Sequence, residues 1–148
     1  GVPAGASDGA VLLPAYRRWG VPHFVRRLDG EFAMVIADFI GGQLVLVTDA
    51  FGTKPLWLAL GRNRTWAVAS YRSALLGLGM QEHETHMLAP NTILTCRLPA
   101  LDGCKRRRGV RFDLRQFKNS TADWREAFSR AVAKRAEQGL NGPRSSVF

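Results

Sequence analysis

Hydrophobic positions are densest between residues 28 and 60, where three apolar runs are separated by two turns. Residues 32–37 (FAMVIA) are almost wholly apolar, the pattern of a strand covered on both faces. Gly41-Gly42 predicts a two-residue hairpin connection, because glycine accepts positive φ without steric cost. Residues 44–47 (LVLV) form the returning strand. Asp49, Gly52 and Pro55 then predict an irregular, stiff loop, after which residues 56–60 (LWLAL) re-enter the sheet as a third strand.

Before this stretch, Leu12, Tyr16 and Trp19 recur at helical spacing, with Ser7 and Asp8 as candidate N-caps. Gly20 and Pro22 stop that helix, and Pro14 implies that it either kinks or effectively begins there. Phe24 and Leu28 are expected under the sheet. After it, residues 65–69 (TWAVA) read as a fourth strand and residues 70–78 as a short helix with Leu75, Leu76 and Leu78 inward. Residues 92–98 (TILTCRL) are a further strand, with Ile93 and Thr95 on one face and Leu94 and Cys96 on the other. Residues 99–109 read as a polar, basic loop, and residues 110–117 alternate weakly. A last helix is expected over 122–138, capped by Ser120 or Thr121 and ended by Gly139, with Trp124, Phe128, Ala131, Val132 and Arg135 along one face. These elements predict an α+β fold with a mainly antiparallel sheet.

Composition narrows the picture. The chain has 148 residues, of which 46% are hydrophobic, enough for one folded domain and its core. No apolar run approaches the ~20 residues of a membrane-spanning helix, and no signal peptide is visible, so a cytoplasmic location is expected. The start at Gly1 and the strand-like ending Ser145-Ser146-Val147-Phe148 read as those of a fragment. Cys96 and Cys104 have neither metal nor redox spacing and read as reduced thiols in preference to a disulfide. His83 and His86 are three apart but have no third ligand nearby, so they read as part of a surface turn. The net charge of +9 is spread along the chain, with one cluster at Lys105, Arg106, Arg107 and Arg108. That cluster raises nucleic acid as a partner, but no aromatic residues interleave with it to stack on bases, which disfavours the reading.

Residues 28–38 (LDGEFAMVIAD) and 48–58 (TDAFGTKPLWL) together resemble the signature of class II glutamine amidotransferases of the asparagine synthetase type. Leu28, Asp29, Gly30, Phe32 and Ala33 match its first motif, and Asp49, Gly52, Pro55 and Leu56 its second. Thr48 stands where that family has arginine, Gly9 and Ala10 depart from its Ser-Asp-Thr-Glu segment, and Tyr71 replaces a glutamate. Residues 88–91 resemble its Leu-Pro-Pro-Gly turn. The resemblance implies the αββα sandwich of N-terminal-nucleophile hydrolases, truncated at its N-terminus. It divides the chain into the latter part of an amidotransferase domain (1–98), a linker (99–118) and the opening helix of an ATP-using synthetase domain (119–148).

By the same resemblance, Asp8 holds the α-amino group of glutamine, a role compatible with helix capping because a carboxylate has a second oxygen to offer. The family's nucleophile is an N-terminal cysteine whose α-amine acts as base, and neither Cys96 nor Cys104 can fill that role. No catalytic residue and no metal ligand is therefore assigned, and the family's glycine-rich pyrophosphate loop is not found in the sequence. The chain by itself is expected to be inactive. The full-length family implies ATP and magnesium as cofactors. The implied partners are glutamine, the rest of the synthetase chain and, as an option, a second copy in a homodimer, with no membrane partner. The differing positions keep a second reading open, a non-catalytic relative acting as a binding or scaffolding domain.

Overall fold

The computed structural model describes residues 8–109 and 120–141; the expected Ser7 cap and the alternation over 110–117 lie outside them. The chain divides into two units, Ala15–Arg111 and Gly1–Pro14 with Phe112–Phe148. In chain order the regular elements are α1 (Leu12–Trp19), β1 (Ala33–Asp38), β2 (Gln43–Thr48), β3 (Trp57–Leu60), β4 (Trp66–Ala69), α2 (Arg72–Gly77), β5 (Thr85–Met87), β6 (Thr92–Arg97), β7 (Asp102–Arg108) and α3 (Thr121–Asn141). The α+β class with antiparallel pairing is as expected.

The strands form two sheets, ordered β1-β2-β6-β7 and β4-β3-β5. The third apolar run therefore does not extend the first hairpin but begins the second sheet, and β6 takes the place beside β2. Apolar side chains from both sheets share one core: Leu44, Leu46 and Cys96 from the first, Leu58 from the second, with Leu56, Leu88 and Leu101 from the connections. On the other face of the first sheet, Val45, Val47 and Ile93 are fully buried. Thus β2 is the strand covered on both faces, whereas β1, an edge strand, buries Met34 and Ile36 but leaves Val35 exposed. As an edge strand, β1 is flanked by the side chains of one neighbour only, so its residues are less enclosed than those of β2.

Several local expectations hold. Pro14 falls in the first turn of α1, where its missing N–H would have had no helical partner. Gly20 ends α1 at φ +61, its amide donating to the Tyr16 carbonyl. Phe24 is fully buried. The Ser120 hydroxyl caps α3 by accepting from the Asp123 amide at 3.2 Å.

Others are corrected. The hairpin between β1 and β2 closes through residues 39–42, with Asp38 paired to Gln43, and not through two glycines. In α2 only Leu75 is buried; Leu78 lies past the last helical residue and is exposed. Helix α3 continues through Gly139 to Asn141, and Trp124, Phe128 and Val132 on its apolar stripe are exposed. His83 lies in a short 3-10 turn as expected, but His86 is in β5.

The stretch read as a basic loop contains β7, paired antiparallel with β6. That pairing also overturns the reduced-thiol expectation, because Cys96 and Cys104 form a disulfide. The register shifts between Thr95 and Arg97, and the hairpin folds the two cysteines onto each other with Cα atoms 4.1 Å apart. Spacing along the chain could not reveal this while one partner was assigned to a loop.

Candidate functional site

The loop between β2 and β3 is organised by Asp49, whose side chain is almost fully buried. Its carboxylate accepts from the backbone amides of Phe32 (3.2 Å), Phe51 (2.9 Å), Thr53 (3.1 Å) and Lys54 (3.4 Å), and from the Thr53 hydroxyl (3.2 Å). Burial pushes the Asp49 pKa up, but the backbone donors of Thr53, Phe51, Phe32 and Lys54 outweigh it and hold the carboxyl below its ordinary value. An ionised aspartate thus ties the end of one strand to the start of another.

The same loop is fastened to the turn before β6. The Asn91 amide donates to the Asp49 carbonyl at 2.7 Å. Thr48 donates its hydroxyl to the Ala89 carbonyl at 2.7 Å and accepts from the Thr92 amide at 3.1 Å. Gly52, at φ +65, sits so close to this turn that a Cβ would lie 2.8 Å from Pro90 Cγ and 3.3 Å from its backbone Cα. The requirement for glycine here is therefore both conformational and steric. Asn91 takes φ 54, which asparagine tolerates better than most side chains, so it can stand where the resembling motif has glycine.

The sequence-predicted residues divide sharply. Asp49, Gly52 and the residue 88–91 turn are held together, whereas Pro55 is exposed. Lys54 is exposed. Asp8 opens a 3-10 turn, Asp8–Val11, directly before α1; its side chain lies outside what the structure describes. Tyr71, in place of the motif glutamate, is exposed ahead of α2.

One polar cluster was not anticipated. Tyr16 donates its hydroxyl to Asp38 Oδ2 at 2.6 Å and accepts from Gln43 Nε2 at 2.8 Å, while the Gly41 amide donates to Asp38 Oδ1 at 2.7 Å. The Tyr16 hydroxyl, followed by the Gly41 amide, holds the Asp38 pKa down; burial, then Asp38 itself, raises that of Tyr16. A cavity of about 440 Å³ opens beside them, with Arg17, Gly20 and Ile40 on its walls. The only advance signal was a carboxylate at the end of a strand, facing a helical tyrosine far away in sequence.

Residues 4–111 match the family model of a glutamine amidotransferase domain. The chain belongs to that family. It is 41% identical over 71 residues to a putative glutamine-hydrolysing asparagine synthetase of Mycobacterium bovis, covering 48% of this chain and 11% of that protein. To the glutamine-hydrolysing asparagine synthetase of Gallus gallus it is 31% identical over 80 residues, 54% of this chain and 14% of the relative. The Rattus norvegicus synthetase is 32% identical over 71 residues, 48% and 13% respectively. The matches thus span a small part of each relative, and within them this amidotransferase domain resembles the asparagine synthetases.

Proposed function

We propose that the chain contributes the glutamine-handling part of a glutamine-dependent amidotransferase resembling asparagine synthetase. In this reading glutamine hydrolysis supplies ammonia to an ATP-activated carboxylate such as that of aspartate. The observation that carries it is the Asp49 loop, locked to the 88–92 turn and built from the positions that match the family motif. Such a loop holds a fixed backbone frame beside which a small substrate can be oriented, and fixed geometry is what acyl-transfer chemistry needs. Asp8 is the residue proposed to hold the α-amino group of glutamine, a cation that calls for a charged acceptor.

Residues 1–98 and 119–148 are assigned in this reading to an amidotransferase domain and the start of an ATP-using domain, in a protein of the cytoplasm. Among the described residues no group of three or more His, Cys, Asp or Glu side chains is fit to hold a metal ion. In this reading ATP and magnesium belong to the full-length protein. Among the described residues no helix is long and apolar enough to cross a membrane.

The test is glutamate release from glutamine by the protein as isolated from its source, with Asp8→Asn as the variant. A KM for glutamine raised at least tenfold, with kcat changed less, supports the assignment of Asp8. Absence of glutamine hydrolysis in the source protein overturns the amidotransferase reading.

A second reading, a non-catalytic scaffold, is favoured by Thr48. Where the family motif has arginine, this threonine is buried and spends its hydroxyl on the Ala89 carbonyl and the Thr92 amide. A long cation has been replaced by a structural link. Glutamine binding without turnover, or no binding at all, would select this reading.

A further inference from the structure

The strongest concentration of charge in the described residues lies on a sheet edge. β7 is the last strand in the order β1-β2-β6-β7, and all of its residues are exposed. It carries Lys105, Arg106, Arg107 and Arg108 in succession. Strand alternation sends Lys105 and Arg107, opposite Thr95 and Ile93, to one face, and Arg106 and Arg108, opposite Leu94 and Thr92, to the other.

Each face opens a cavity beside the strand. On one side about 590 Å³ is lined by Gln43, Thr95, Arg97, Lys105 and Arg107. A second cavity, of about 540 Å³, is lined by Asn91, Thr92, Arg106, Arg107 and Arg108. Asp102 is engaged by Arg97 at 2.9 Å, and among the described residues no ion pair engages any of the four cations on β7. Like charges crowded along one strand repel, and a partner's carboxylates would relieve that repulsion.

We propose that the edge of β7 away from β6, which no strand of the described residues pairs, docks an acidic peptide segment of a partner protein, which adds to the sheet as one more strand. The edge offers backbone donors and acceptors that only another peptide backbone can satisfy together. An added strand sends its own side chains alternately to the two faces. Acidic residues at successive positions would then enter both cavities, whereas a small anion would use one. Nucleic acid fits less well: neither β7 nor either cavity presents an aromatic ring for a base to stack on. A purely protective role, in which the charges keep the edge from pairing with other chains, is the competing account.

The experiment titrates labelled oligoglutamate of about seven residues, a typical strand length, into the intact chain at low salt. Parallel titrations use a peptide of equal charge with proline at alternate positions and an oligothymidylate of similar length. The variants are K105E/R107E and R106E/R108E, which keep the edge charged and so guarded against self-association; circular dichroism confirms that each is folded. The proposal expects saturable binding of oligoglutamate, at least tenfold weaker binding of the proline-bearing peptide, and slowed amide exchange along β7. It also expects each variant to lose affinity about tenfold, the scale of two exposed ion pairs. Equal binding of both peptides, loss in one variant alone, tighter binding of the oligothymidylate, or no binding at all would overturn it. The readout does not involve glutamine and is independent of the amidotransferase reading.

Discussion

Two aspartates flank the same hairpin strand and solve opposite problems. Asp38 ends β1 at the hairpin mouth, and Asp49 follows β2 at the other end. Both carboxyls are held below their ordinary pKa. At Asp49 the cause is a set of backbone amides, three from its own tight loop and one from Phe32 ahead of β1, which would be left without partners if the side chain were lost. At Asp38 the leading cause is one tyrosine hydroxyl from a distant helix, at a site open to water. The lesson is that similar ionisation can rest on different foundations. A carboxylate inside a loop is part of the fold, whereas one beside a cavity is available to a ligand.

The largest expected effect is that of Asp49→Ala, which strands several buried donors and should cost about 3 kcal/mol in urea unfolding. A loss below about 1 kcal/mol, within the range of ordinary surface and single-bond changes, would remove the distinction between the two sites. Gly52→Ala comes next. It forces a left-handed backbone onto alanine and sets a Cβ against Pro90, for an expected cost of about 2 kcal/mol. An unchanged unfolding midpoint would mean that the loop yields easily. Thr48→Val leaves the Thr92 amide and the Ala89 carbonyl unmatched and should cost about 1 kcal/mol.

Asp38→Asn should have the smallest effect on stability, near the error of a thermal melt, since water can replace the lost partner. Acid titration sharpens the contrast. Because the folded pKa of Asp49 is depressed, its contribution is fully present above the unfolded carboxylate value of 3.8 and is lost as pH falls through the lower folded value. The stability difference between wild type and Asp49→Asn should therefore shrink on acidification through that window. A difference that grows instead would show that the ionised form is not the stabilising one.

Much of the first sheet and of the loop was readable in advance, for local reasons. The apolar run at residues 44–47 marks β2, now buried on both faces, and Gly52 and Pro55 mark the stiff connection after it. The stretch from Asp49 to Pro55 was legible because its residues are close in sequence and match a recognisable motif, whereas its ties to Phe32 and to the 88–92 turn were not. The Tyr16–Asp38–Gln43 cluster was not, since its members come from three separate elements.

The sequence by itself determined the places of β1 to β4 and β6, the stiff connection at Gly52 and Pro55, and which family the chain resembles, because propensity, turn chemistry and motif spacing are properties of neighbouring residues. Tertiary structure decided which strands lie side by side. It placed β6 next to β2, sent the third apolar run into a second sheet, turned a basic loop into the edge strand β7, and closed the Cys96–Cys104 disulfide. Those outcomes depend on contacts between distant segments, where burial of shared apolar surface and pairing of backbone hydrogen bonds override what each segment signals alone.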